Sequence, residues 1–402
     1  MAVSKNAELW LALIASAAAV AVAPHIHPQW IVAAAAVVIC ALYYLIADSR
    51  YPAIGIGIIA VLYAAEMISL MIFLSTIAIV IMGESAYRIC RDDKHKPLAF
   101  LSVAVIASFA TTFYLGYTLY LVPLTGIIVA AMLKTILKKR EDALLLECLG
   151  TAMTMLLFED LSFVPRLDLL IFAIIISFAF GIAAYEMRAA DMSGLFSAAL
   201  MGILIIVFSD ITWFFVMLTF FILGSGFTKY KYDVKRKQGV AESRGGMRGF
   251  LNVYANGMVS LAAAILYGVY DHNLIFAALF LGSVSAAMAD TTASELGMLG
   301  KRPYLITTFK RVPKGTDGGV TLFGEAAAVT AAIILCAAAY LMGMATLGIA
   351  VICVAAGFVG TNIDSLVGAT LERGGYIHNT GTNFICTLSG GLFAVLLYIL
   401  FL

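Results

Sequence analysis

At 402 residues, 63% of them hydrophobic and only 12% charged, the chain has too little polar surface to coat a soluble globule, and its mean hydropathy of +1.01 places it in a bilayer. The net charge of +1 says little about partners; the distribution of charge along the chain says more. Six cysteines (Cys40, Cys90, Cys148, Cys336, Cys353, Cys386) lie mostly inside apolar runs without CxxC or Cys/His spacing, which argues against a disulfide framework or a zinc site.

Apolar runs long enough to cross a hydrocarbon core recur from end to end and lack the two-residue alternation of barrel strands. The expected fold is therefore an all-α, polytopic transmembrane bundle of about 14 or 15 spans. In chain order the spans fall at 8–24, 29–47, 52–82, 98–115, 117–137, 143–158 and 167–185, then at 192–209, 211–227, 251–270, 273–289, 322–343, 346–363 and 384–402. The first has only Lys5 before it and no cleavage site, so it reads as a retained helix. The third is too long for one ordinary crossing and reads as two helices or one tilted helix. Glu66 near its middle and Glu147 are the acids of the first part that fall well inside spans.

Lysine and arginine set the orientation. Segments 84–97, 134–142 and 228–250 are basic, whereas 158–168 and 271–272 are not. Alternating crossings then put 186–191, 228–250, 290–321 and 364–383 on the cytoplasmic side of a cell membrane. Unusual polar residues crowd the chain after Pro165, so two regions are expected, 1–165 and 166–402, with the chemistry in the second.

Segment 228–250 carries seven cations, Lys229, Lys231, Lys235, Arg236, Lys237, Arg244 and Arg248, against Asp233 and Glu242. Lys229 to Lys237 read as a positive-inside loop. Arg244 and Arg248 flank Gly245 and Gly246 and lead to Asn252 and Asn256, four apart on one helical face that should look into the bundle. No stacking platforms interleave this basic run, so it is not a nucleic-acid surface. "ADTTASELG" (289–297) ends a span with Asp290, whose burial calls for a cation, either a metal or a lysine; Glu295 lies well round the helix. "IDSLVGATLE" (363–372) echoes that pattern with Asp364.

"KRVPKGTDGGVTLFGE" (310–325) concentrates Lys310, Arg311 and Lys314 with Thr316, Asp317, Thr321 and glycines at a span boundary. Gly315, Gly318 and Gly319 can take left-handed backbone angles and form an anion nest before a helix N-terminus, an arrangement suited to polyphosphate. GxxxxGK[ST] occurs nowhere, so this is not a Walker A loop. Asn379 and Asn383 again stand four apart.

The stretches "RGFLNVYANG" (248–257), "ADTTASELG", "KRVPKGTDGGVTLFG" (310–324) and "DSLVGATLE" (364–372), with Asn379 and Asn383, resemble the integral-membrane phytyl-phosphate kinase family of the vitamin E pathway. They also resemble its uncharacterised prokaryotic relatives and, more distantly, the CTP-dependent phytol and dolichol kinases. Order and spacing agree over about residues 167–402, and residues 1–165 are not covered. Asn252 and Glu372 stand where the family usually has glutamine.

The resemblance implies phosphoryl transfer from a nucleoside triphosphate, CTP first among them, to an isoprenoid monophosphate lipid. It implies Mg²⁺ held by Asp290 with Asp364 or Glu295. The triphosphate would rest on Lys310, Arg311, Lys314, Thr316, Asp317, Thr321 and the 315–319 backbone, with Asp290, Lys310 and Lys314 in the catalytic roles. The acceptor would meet Arg244, Arg248, Asn252, Asn256, Asn379 and Asn383, and the donor and acceptor sets could exchange roles. Two rivals use similar parts: a cytidylyltransferase releasing pyrophosphate, and a carrier or flippase of isoprenoid phosphates.

Overall fold

The computed structural model describes residues 5–46, 50–93 and 95–402, and these are mostly helical. Among the described residues nine apolar helices have at least 18 residues, and five more have 10–17. At about 1.5 Å per residue the longer set spans a hydrocarbon core, and the chain is an all-α membrane bundle. Two compact units divide it, Met1–Arg166 and Leu167–Leu402.

The first unit contains α1 (Lys5–Val22), α2 (Gln29–Ile46), α3 (Tyr51–Ala64), α4 (Leu70–Ile77), α5 (Gly83–Ile89), α6 (Lys96–Tyr114), α7 (Leu121–Ile136) and α8 (Ala143–Asp160). A π-helical turn, Ala78–Met82, joins α4 to α5. The long run over 52–82 is thus two helices, and Glu66 stands exposed in the turn between α3 and α4 with φ of 60°. Its expected place inside a span is corrected. The helix stops where the carboxylate reaches the surface, and Ser69 starts the next one by accepting from Ile72 N at 3.2 Å. Glu147 on α8 is fully buried, 3.5 Å from the Lys134 ammonium on α7. Lys134 also bonds Glu84 on α5, which pairs with Arg88 at 2.7 Å, so two acids and two bases balance inside this unit.

The second unit runs α9 (Leu167–Glu186), α10 (Met192–Phe208), α11 (Ile211–Lys229), the short α12 (Tyr232–Lys237), α13 (Phe250–Val269) and α14 (Leu274–Gly297). A two-residue hairpin follows, β1 (Tyr304–Leu305) antiparallel to β2 (Gly319–Val320), with Tyr304 opposite Val320 and Leu305 opposite Gly319. Then come α15 (Leu322–Leu341), α16 (Leu347–Val367) extended by a π-helical turn Gly368–Glu372, and α17 (Asn379–Phe401). Helix α14 is the hub, buried along most of its length and packed on α11, α13, α15, α16 and α17. Its small residues, Gly282 to Ala289, let backbones approach closely. A Cβ on Gly282 would meet Ala394 Cβ at 2.4 Å, and one on Gly360 would meet Ala286 Cβ at 2.5 Å. That close packing carries the polar ends of α14, α16 and α17 to one end of the unit.

Candidate functional site

Three devices gather the polar segments of the second unit. Arg248 is clamped by its backbone: its N–H donates to Ala189 O at 2.9 Å, and its carbonyl accepts from Asp191 N at 3.1 Å. Gly194 makes this possible, since a Cβ there would lie 2.2 Å from Arg248 O. Asp191 caps α10 through Gly194 N at 2.9 Å. The second device is Lys235, wholly buried, which donates to the α11 carbonyls of Phe227 and Thr228, each at 2.9 Å, and to Glu295 Oε2 at 2.5 Å. Third, the hairpin loop docks on the π-helical turn. Gly318 has φ of 75°, and a Cβ there would meet Ala369 N and Ser365 O at 2.5 Å.

Between hairpin, α14 and α16 lies a polar cavity of about 960 Å³ including its open mouth. Among the described residues its wall carries six carboxylates, Glu242, Asp290, Asp317, Glu325, Asp364 and Glu372, and one ammonium, Lys314. Asp290 and Asp364, from the two echoing segments, face each other at hydrogen-bonding range. Thr361 Oγ1 donates to Asp290 Oδ1 at 3.4 Å, while Asp364 Oδ1 is buried and meets no donor. Two facing carboxylates must share a proton or a cation. Glu325 accepts from Asn362 at 3.2 Å and Glu372 from Thr382 at 2.8 Å.

The glycine loop lines this cavity from Lys314 through Thr321. Gly315 and Gly318 have positive φ; Gly319 instead belongs to β2. Thr321 Oγ1 accepts from Gly324 N at 2.9 Å and caps α15, and Thr316 Oγ1 donates to Pro313 O at 2.8 Å. Lys310 and Arg311 stand outside. Lys310 is exposed, and Arg311 lies over the Tyr304 ring at 5.5 Å. Glu295 is engaged by Lys235, an ion pair that the reading of 229–237 as a plain basic loop did not foresee. The clue was available, since an acid at a span's end demands a cation.

A second polar cavity adjoins the first, sharing Glu242, Asp290, Ser294, Met298 and Asn379. Arg248, Asn252, Asn256 and Asn383 complete it with Glu295 and Thr291. Asn256 Nδ2 donates to Asn252 O at 3.0 Å. The Arg248 guanidinium lies 5.1 Å from the Phe220 ring centre and 5.6 Å from that of Phe221, and it forms no ion pair among the described residues. Burial pulls its pKa below the usual value while Glu242 and Glu295 oppose this; an arginine so placed stays cationic. The side chain of Arg244 lies outside the described residues.

A metal here would find two protein carboxylates, Asp290 and Asp364. No group of three or more His, Cys, Asp or Glu suited to a metal converges among the described residues. Magnesium is commonly held by one or two carboxylates, with substrate phosphates and water filling the octahedron, so the pair fits Mg²⁺ better than a closed protein cage.

Fold and site together define a polytopic helical membrane protein with a polar, carboxylate-rich site at one end of its second unit. The chain belongs to the family described as integral membrane protein DUF92, whose pattern matches residues 175–391. It is 36% identical over 212 residues to the uncharacterized membrane protein MJ0933 of Methanocaldococcus jannaschii, covering 52% of this chain and 87% of that one. With the uncharacterized membrane protein sll0875 of Synechocystis it shares 34% identity over 48% of this chain and 76% of the relative. With the chloroplastic protein VTE6 of Arabidopsis thaliana it shares 33% over 51% and 64%. No solved structure matches the chain significantly.

Proposed function

We propose that this protein is a membrane kinase transferring a phosphoryl group from a nucleoside triphosphate, CTP by resemblance, to an isoprenoid monophosphate such as geranylgeranyl, farnesyl or phytyl phosphate. The observation that carries this reading is the adjacency of two polar cavities, one lined by the Asp290–Asp364 pair, Lys314 and the glycine loop, the other by Arg248 with Asn252 and Asn256. They share Asp290, so donor and acceptor phosphates held in each would meet there.

An acceptor phosphate is largely dianionic above pH ~6 and is its own nucleophile, so no serine, cysteine or histidine base is required. Its oxygen bonds to the γ-phosphorus, the bond to the β-phosphate oxygen breaks, and nucleoside diphosphate leaves. Asp290 and Asp364 would hold Mg²⁺, which when bound neutralises the triphosphate and offsets the six carboxylates. Lys314 and the loop N–H groups orient the triphosphate, and Arg248 with the asparagines orients the acceptor. Lys310 and Arg311 add positive potential at the approach. The basic segment 228–250 supports a cytoplasmic setting for this end.

The test is incubation of purified protein with CTP, Mg²⁺ and geranylgeranyl monophosphate, with products identified by mass. Isoprenoid diphosphate plus CDP is expected, lost with EDTA and restored by Mg²⁺. In Asp290→Asn turnover should fall about 10³-fold with an unchanged melting profile in detergent. A CDP-linked lipid with pyrophosphate would make the protein a cytidylyltransferase instead, and unchanged lipid would defeat both.

A further inference from the structure

An apolar cavity opens beneath Arg248 that phosphoryl transfer alone does not explain. It lies between α9, α10, α11 and α13, measures about 680 Å³ including its mouth, and shares Arg248, Asn252 and Asn256 with the acceptor cavity above. Its far end is identifiable. A Cβ on Gly202 would stand 2.6 Å from Ser177 Oγ and 2.8 Å from the Phe214 ring, so these three residues close the floor. Each lies seven or eight residues along its helix from one level with Arg248, namely Ala184, Gly194 and Phe221, which makes the cavity about 10 Å deep. Phe180, Met201 and Met217 form walls able to adjust to a branched chain.

We infer that this cavity receives the headgroup-proximal isoprene units of the acceptor's chain, with its phosphate at Arg248. The inference rests on the kinase reading for the identity of the lipid. Its physical basis is separate: a buried guanidinium with no ion pair among the described residues sits at the mouth of an apolar hole, which matches a molecule anionic at one end and apolar beyond. A free phosphate would leave the hole unused, and an uncharged lipid would leave the cation unused.

Two measurements test it. A diazirine-bearing isoprenoid monophosphate, photolysed on the wild-type protein and mapped by peptide mass, should label Met201, Phe214 or Met217. Labelling only of bilayer-facing positions such as Phe215 or Ile222, or equal displacement of the label by ordinary phospholipid, would overturn the inference. In kinetics, Ala198→Phe, which fills the cavity from α10, should lower kcat/KM for isoprenoid monophosphates about tenfold with KM for CTP unchanged. An unmoved kcat/KM for isoprenoid monophosphates in Ala198→Phe counts against the cavity. Cavity labelling without turnover on any isoprenoid monophosphate defeats the kinase reading and leaves the lipid site standing; turnover with labelling elsewhere does the reverse.

Discussion

Asp290 and Asp364 come from segments 74 positions apart and have no ion-pair partner among the described residues. Their types and membrane-boundary positions were readable as acids in need of a cation; their mutual contact was not, because it depends on how α14 and α16 pack. Arg248 shows the same division. Its place beside glycines marked it out, yet what aims its guanidinium is Gly224 on another helix, where a Cβ would stand 2.7 Å from Nη2. Gly224→Ala should therefore displace the guanidinium and lower kcat/KM for the acceptor roughly 10- to 100-fold, leaving KM for the nucleotide unchanged. Steady-state kinetics with each substrate varied decides this, and an unaltered acceptor kcat/KM would detach Arg248 from the acceptor.

Among elements, α14 contributes most, because its helix runs on to Gly297 and carries "ADTTASELG" as its last turns instead of as a loop. Helicity puts Asp290 toward the cavity and Glu295, five residues on, toward α12, where Lys235 meets it. The sequence pattern offered lysine or metal as the cation for this helix end, and the fold supplies lysine to Glu295. Lys235→Met would strand a buried carboxylate and remove the donor to two α11 carbonyls, costing about 3–5 kcal/mol. Thermal melting in detergent should show the loss, with recovery in Lys235→Met/Glu295→Leu; equal melting of wild type and single variant would mean that the pair does not brace α12.

At the scale of the molecule, the polar segments of the second unit meet at one end because α14, α16 and α17 pack through small residues. Single cysteines replacing Lys310 on the hairpin and Tyr376 before α17, both exposed, should react with an impermeant maleimide from the same side of the membrane. Labelling from opposite sides would break the one-ended site. Composition and hydrophobic runs by themselves determined a helical membrane protein, because an apolar chain in lipid must satisfy its backbone within helices. Residue order alone also marked Asp290, Arg248, Lys314, the glycine loop and Asp364 as unusual. Only the tertiary structure decided that Lys310 and Arg311 lie outside the cavity, that Glu295 belongs to Lys235, and that six carboxylates line one cavity with Lys314 among the described residues. The reason is physical: hydropathy reports whether a segment enters the bilayer, whereas which polar groups face one another depends on helix rotation and on contacts between residues distant in the chain.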